Sequence, residues 1–301
     1  MAEPSFRPRR SMMYTPATQP DRVEKALTMA EGPDIVVGDL EDAVGPEDKK
    51  QAREAVQETL AGLDEEGAEA EGCIRVNGID TQWFMADVEA AVQAEPDTIV
   101  VPKVESPGQL RTVEGRLVTA EAEHDVEEGS IEVLAQLETA PGVAHALAIG
   151  EAAGTVDRVT ALVFGAEDFA ASVGARRSRS NREVLYARSR VVLAAALGEV
   201  QAIDQVHVDY EDLEALREEA IEGRDLGYVG KQIIHPDQIE PVHDVFTPDG
   251  DEIAEARDLL AAVDEADIEE GGVIAHEGRM IDRPLIQQAR RTVELADALD
   301  G

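Results

Sequence analysis

The chain is expected to adopt an α/β fold, a (β/α)8 TIM barrel followed by a C-terminal tail. Short apolar, β-branched segments alternate with amphipathic ones eight times, and strict β-α alternation of this kind closes into a barrel. Four of the apolar runs end abruptly in charged residues: 35–42 (IVVGDLED), 98–105 (TIVVPKVE), 131–138 (IEVLAQLE) and 162–168 (LVFGAED). Buried strands gain no stability from unpaired charge, so carboxylates gathered at their ends point to a site at the carboxyl edge of a parallel sheet. The 301-residue length fits one such barrel with a short appendage.

The first strand is expected at 11–15, followed by a helix capped by Asp21 with Val23, Ala26, Leu27 and Ala30 on one face. Strand two covers 35–40, and Pro46 opens a helix to 63 whose buried face carries Ala52, Ala55, Val56 and Leu60. Strand three is 73–76, ended by Asn77-Gly78, and a helix runs on from Thr81. Strand four covers 98–104 and stops at Ser106-Pro107-Gly108. Strands five to eight are expected at 133–137, 159–164, 205–208 and 230–234, the last halted by His235-Pro236. The barrel domain then takes residues 1–245 and the tail takes 246–301. In that tail a helix at 252–265 and another at 284–299 flank an extended or looped stretch at 271–281, which begins with Gly271-Gly272. It is too short to bury much core, so it is not expected to be an independent domain but to pack on its own barrel or to reach a neighbouring subunit.

Sixty-four Asp and Glu outnumber 27 Lys and Arg, a net charge of −37 in a chain that is still 43% hydrophobic. Such a charge repels itself in dilute buffer and is screened at molar salt, the composition expected of a halophilic cytoplasm. With no basic stripe to follow a phosphate backbone, nucleic acid is not an expected partner. No run is long enough to span a bilayer, the amino terminus has no signal-like apolar region, and the single Cys73 fits a reducing compartment. The expected location is cytoplasmic, with no membrane partner.

If the strands close into a barrel, one rim collects Asp39, Glu41, Asp42, Arg75, Asn77, Lys103, Glu105, Glu138, Glu167, Asp168, Asp209 and His235. An all-oxygen set without neighbouring Cys suits Mg²⁺, or Mn²⁺, rather than zinc. Glu138 and Asp168 end consecutive strands, and Arg75 and Lys103 supply positive charge for an anionic substrate or an enolate. The same residues also fit an ion-pair network that closes the barrel top. Lys103 is expected to pair with Glu105 rather than to form a Schiff base.

Several segments taken together resemble the citrate lyase β-subunit and malyl-CoA lyase family: Arg10-Ser11, 39–44 (DLEDAV), 75–78 (RVNG), 102–106 (PKVES), 137–143 (LETAPGV), 164–174 (FGAEDFAASVG), 230–236 (GKQIIHP) and 279–284 (RMIDRP). The resemblance implies a (β/α)8 homotrimer or dimer of trimers that makes or breaks a carbon–carbon bond between an acyl-CoA and a 2-oxo acid, with Mg²⁺. It implies that Glu138 and Asp168 are the metal ligands and that Arg75 steadies the oxyanion of the thioester enolate. It further implies that Asp282 is an acid/base group delivered to a neighbouring subunit, with Glu41 and Asp42 near the metal. After Gly174 the segment 175–190 (ARRSRSNREVLYARSR) looks more like the citrate lyase β-subunit and citramalyl-CoA lyase branch.

The expected reaction is therefore Mg²⁺-dependent cleavage or formation of malyl-CoA, β-methylmalyl-CoA or citramalyl-CoA, with glyoxylate or pyruvate as the oxo acid. Alternatives are a malyl-CoA thioesterase or malate synthase-like enzyme, a CoA-independent class II aldolase, and a citrate lyase β-subunit that works only with partner subunits. A CoA substrate carries three phosphates, and the scarce arginines cluster at Arg7, Arg9, Arg10 and from Arg176 to Arg190. Internal pairing accounts for Arg188 and Arg190, whereas Arg10, Arg176 and Arg177 are open to either pairing or phosphate binding. His235 is expected to cap strand eight, Trp83 and Phe84 to pack, and Cys73 to be buried.

Overall fold

The structure, a computed structural model, describes residues 7–62, 68–265, 274–276 and 279–300. Eight strands, β1 (Ser11–Pro16), β2 (Ile35–Asp39), β3 (Glu71–Arg75), β4 (Thr98–Val101), β5 (Glu132–Leu137), β6 (Val159–Phe164), β7 (Gln201–Asp204) and β8 (Gly230–Ile233), form a closed barrel in sequence order. Every neighbouring pair is parallel, including β1 with β8, which closes the ring. The (β/α)8 fold is thus the one expected.

Side chains alternate across a strand, so every second residue faces the barrel interior. Met12, Ile35, Val37, Cys73, Val100, Leu134, Ala161, Val163 and Ile203 form one buried cluster, with Tyr14 packed against it. Two residues further toward the carboxyl ends, the same parity delivers Asp39, Arg75 and Gln136, and then Glu138 and Gly165. The apolar plug therefore floors the rim, and the next layer of inward side chains is polar. The opposite mouth is closed by Arg9, buried between Glu71 (2.8 Å) and Glu132 (2.6 Å).

Four expectations about elements are corrected. Strand seven lies at Gln201–Asp204, not 205–208; Val206 and Val208 suggested a strand, but Gln205–Val208 leaves the barrel edge and Val208 is exposed. The second helix begins at Lys49, because 46–48 form a turn, and Lys49 joins Ala52 and Val56 on its buried face while Ala55 and Leu60 are half-buried. Asp21 lies inside the first turn of helix Pro20–Leu27, with Gln19 at the cap. Strand four ends at Val101, where Pro102 cannot donate to the ladder and Lys103 turns left-handed at φ 55°.

The barrel unit spans Arg9–His243. A second compact unit contains the described residues from Asp244 onward. In it, helices Gly250–Glu265 and Arg283–Asp300 enclose a small core of Ala256, Leu259, Val263, Ile281 and Ala289. Strands β9 (Ile274–His276) and β10 (Arg279–Ile281) pair antiparallel in the stretch expected to be extended. Gly271 and Gly272 lie outside the described residues. Among the described residues no helix is long and apolar enough to cross a membrane.

Candidate active site

At the carboxyl ends of the strands a cavity of about 430 Å³ is lined by Tyr14, Asp39, Asp42, Arg75, Gln136, Glu138, Gly165, Asp168, Val206 and Ile234, among others. Asp39, at the end of β2, organises its acidic side. Its Oδ1 accepts from the Glu41 N–H (2.8 Å) and its Oδ2 from the Ala43 N–H (3.1 Å), so the chain turns as soon as the strand ends. The same carboxylate grips Arg75 bidentately, through Nε (2.7 Å) and Nη2 (2.6 Å). The Tyr14 ring lies 4.8 Å from the Arg75 guanidinium. Burial opposes the Arg75 charge, but Asp39 outweighs it and holds the guanidinium pKa above its ordinary value. Arg75 is a permanent, immobile cation.

Below the acidic turn, Lys49 Nζ donates to the carbonyls of Leu40 (2.6 Å) and Glu41 (2.7 Å) and to Asn77 Oδ1 (2.8 Å), with the Trp83 ring 5.2 Å away. Asn77 is fixed in turn by Asp87, which accepts from its backbone N–H at 2.8 Å. Trp83 thus packs, as expected, and the ammonium beside it ties the 40–41 backbone in place.

Glu138, one residue beyond β5, is buried. Its Oε1 accepts from the Lys103 backbone N–H (3.0 Å) and its Oε2 from Gln136 Nε2, while Gln136 Oε1 receives the Tyr14 hydroxyl (3.2 Å). The left-handed turn at Lys103 aims that N–H, at a cost of about 1–2 kcal/mol for a residue with a Cβ. Burial, reinforced by the nearby charges of Glu41 and Asp168, pushes the Glu138 carboxyl up to about 8 despite Arg75 and Lys103. Burial also raises Glu41 from the usual carboxylate range. Asp168, in the first turn of helix Ala166–Val173, is part exposed, and its Oδ2 lies 3.3 Å from Lys103 Nζ.

Lys103 pairs with Glu41, Asp168 and Asp42 (3.8 Å) rather than with Glu105, because its left-handed backbone turns the side chain over the rim. The structure therefore brings together Glu41, Asp42, Arg75, Lys103, Glu138 and Asp168. It does not bring Arg10 to them: Arg10 precedes β1 at the opposite mouth and binds Asp34 through Nε (3.0 Å) and Nη2 (2.7 Å). Arg177 is engaged by Glu167 (2.8 Å) and Glu183 (2.7 Å), and Arg176 is exposed. Arg188 is buried on Asp204 (2.7 Å), and Arg190 donates to the carbonyls of Val143 and Ala144. His235 caps the turn after β8, accepting from the Asp237 N–H (3.2 Å) and stacking on Tyr210. Asp282 is exposed, and its carbonyl accepts the Ile286 N–H (3.2 Å) at the start of the last helix.

Sequence reasoning missed Tyr14, Gln136, Lys49 and Gly165. Gln136 carried a signal, a polar residue inside an otherwise buried apolar strand. Lys49 carried none, since a lysine at a helix start is ordinarily solvated.

Among the described residues no group of three or more His, Cys, Asp or Glu is arranged as a metal cage. The donor set nonetheless fits Mg²⁺, which takes one or two carboxylates and keeps its other positions for water and substrate. Glu41 Oε2 is buried with no hydrogen bond and only the Arg75 guanidinium 3.3 Å away. The five rim carboxylates Asp39, Glu41, Asp42, Glu138 and Asp168 outnumber the cations Arg75 and Lys103, so an added positive charge is compensated there.

Comparison with known proteins bears on this geometry. The sequence profile of the HpcH/HpaI aldolase/citrate lyase family matches residues 10–236. The β subunit of citrate lyase from Leuconostoc mesenteroides subsp. cremoris is 36% identical over 96% of this chain and 94% of its own. Human mitochondrial citramalyl-CoA lyase is 33% identical over 97% and 86%. A (3S)-malyl-CoA thioesterase from Cereibacter sphaeroides is 34% identical over 97% and 96%. Of solved structures, CitE from Mycobacterium tuberculosis, in complex with magnesium, acetoacetate and coenzyme A, superposes with a TM-score of 0.74. It is 31% identical and the match covers 96% of this chain and 98% of that one.

Proposed function

We propose that this chain, which belongs to the HpcH/HpaI aldolase/citrate lyase family, is a Mg²⁺-dependent carbon–carbon lyase acting on a 3-hydroxyacyl-CoA thioester. The products of cleavage are an acyl-CoA and a 2-oxo acid. The observation that carries this reading is the pairing, across one cavity, of the Glu138 and Asp168 carboxylates with an Arg75 fixed by Asp39. Relatives named for citrate, citramalyl-CoA and malyl-CoA chemistry support the substrate class.

Glu138 and Asp168 are the residues that would hold the metal. Bound there, Mg²⁺ supplies Lewis-acid polarisation of the oxo-acid oxygens. Arg75 does its work without moving. Its bonds to Asp39 use Nε and Nη2, and its fixed charge favours the negative oxygen that develops on the thioester as the bond breaks. A preorganised cation of this kind loses nothing to reorganisation at the moment of reaction. Glu41 and Asp42 hold Lys103 over the rim. Val206 and Ile234 add apolar lining to the cavity, suited to an acyl chain.

The proton is assigned to Asp282, brought by a neighbouring chain in a trimer or dimer of trimers. The family resemblance and the exposure of that residue support the assignment. Arg176 is the phosphate contact of choice, because it is exposed while Arg177 is already paired. The salt-loving cytoplasmic setting belongs to the same reading, supported by the charge of −37. The test is a condensation panel: glyoxylate and pyruvate against acetyl-CoA and propionyl-CoA, with Mg²⁺ in molar KCl. A hydroxyacyl-CoA product supports the lyase. Free CoA released in step with condensation supports the thioesterase reading instead, and turnover without any thioester would refute both.

A further inference from the structure

Two cations face the rim carboxylates, and they are held very differently. Arg75 is pinned by two hydrogen bonds to Asp39 and an aromatic face, with 12% of its side chain exposed. Lys103 has 38% of its side chain exposed and reaches Asp168 Oδ2 (3.3 Å), Asp42 (3.8 Å) and Glu41 with one flexible ammonium. The two carboxylates of the proposed metal site differ as well. Glu138 is fixed by N–H donors from Lys103 and Gln136, neither of which carries its charge. Asp168 has the Lys103 ammonium against it. A divalent cation between Glu138 and Asp168 and an ammonium on Asp168 would repel each other at short range.

We propose that Lys103 is a placeholder cation: it neutralises Asp168 in the metal-free protein and gives that carboxylate up when a divalent cation binds. The inference rests on the metal-site reading above. Its backbone stays where it is, because the left-handed turn and the N–H bond to Glu138 do not depend on the side chain. Glu41, buried beside it, retains the ammonium after it leaves Asp168, so the exchange is a short swing and not an ejection. The rim thus keeps Asp168 aimed and compensated before the metal arrives, and the metal's affinity is set partly by the cation it displaces.

The sign of one substitution separates this from a purely structural role. If Lys103 only braces the acidic turn, removing its charge lets Glu41, Asp42 and Asp168 splay, and metal binding weakens. If it is a placeholder, removal of the competitor strengthens binding. Mn²⁺ titrations followed by electron paramagnetic resonance, on the full chain at fixed KCl, should give Lys103→Met an affinity about three- to tenfold tighter than wild type, with Lys103→Arg within about twofold of it. Lys103→Gln serves if the methionine variant does not fold. In the wild type, the rate of Lys103 labelling by an amine-acylating reagent, read by peptide mass, should rise when Mn²⁺ is added. Equal or weaker Mn²⁺ binding in the neutral variants, or unchanged labelling, overturns the placeholder while leaving the metal site standing. Wild-type protein with no saturable Mn²⁺ binding, or binding untouched by Glu138→Gln, overturns the metal-site reading itself.

Discussion

Gly165 faces Glu138 so closely that a Cβ on it would lie 2.6 Å from the Glu138 Cβ and 3.0 Å from Gln136 Nε2. The glycine is the inward position just past the end of β6, and its φ of −98° is one that any residue adopts. Its lack of a side chain therefore serves the Glu138 carboxylate and not the backbone.

Gly165→Ala is expected to cost about 1–3 kcal/mol of stability, because its Cβ overpacks against the buried Glu138 Cβ, and to lose about 10²-fold in kcat/KM as the Glu138 carboxylate is displaced by roughly 1 Å. Thermal melts and steady-state kinetics on the same preparation check this. Near-normal activity would mean that the position of Glu138 does not matter to the reaction.

Much of this architecture was legible in the sequence, and its limits have physical causes. Apolar runs with β-branched residues located β2, β4, β5 and β6 because strands buried on both faces need them. β7 is only Gln201–Asp204, with two apolar residues, so the alternation of Val206 and Val208 just beyond drew the strand four residues too far on. The rim carboxylates could be read from their place at the strand ends. Their partners could not: that Lys103 bonds Glu41 and not Glu105 depends on a left-handed backbone that nothing in PKVES announces. Arg10 lies one residue before β1, which puts it at the opposite mouth of the barrel from the strand ends that gather the carboxylates.

A second network, around Glu219, contributes to acid stability. Burial opposes the Glu219 charge, but Lys231 (2.5 Å), His207 and Asn181 (2.8 Å) outweigh it and hold its carboxyl well below the usual range. A depressed pKa stabilises the fold above the ordinary carboxylate value near 4.5, and that stability is lost as the pH falls below it. Glu219→Gln should cost about 3 kcal/mol at pH 7, with the difference from wild type shrinking below about pH 4.5. Denaturant unfolding at pH 7 and pH 3.5 reads it; a gap that is constant with pH would show that Glu219 is not the titrating group.

The charge of −37 predicts a strong salt response. Screening of self-repulsion should raise the melting temperature between dilute buffer and molar KCl, and activity should return when salt is restored to reversibly unfolded protein. Equal midpoints at low and molar KCl would remove the halophilic reading and leave the enzyme assignment intact.

If Asp282 serves a neighbour's site, inactive Asp282→Ala and inactive Glu138→Ala chains should complement each other. Mixed under conditions that exchange subunits, they should recover part of the wild-type rate, since some sites combine an intact Glu138 with an intact Asp282. No recovery in demonstrably mixed oligomers would mean that Asp282 acts within its own chain or has no role in the reaction.

The most direct measurement is the cleavage stoichiometry of citramalyl-CoA and malyl-CoA by the purified chain. With Mg²⁺, one acyl-CoA should form for each 2-oxo acid. EDTA should abolish turnover, added Mg²⁺ should restore it, and folded Glu138→Gln should stay inactive at any Mg²⁺ concentration. Cleavage that persists in EDTA, or in Glu138→Gln, would contradict the account.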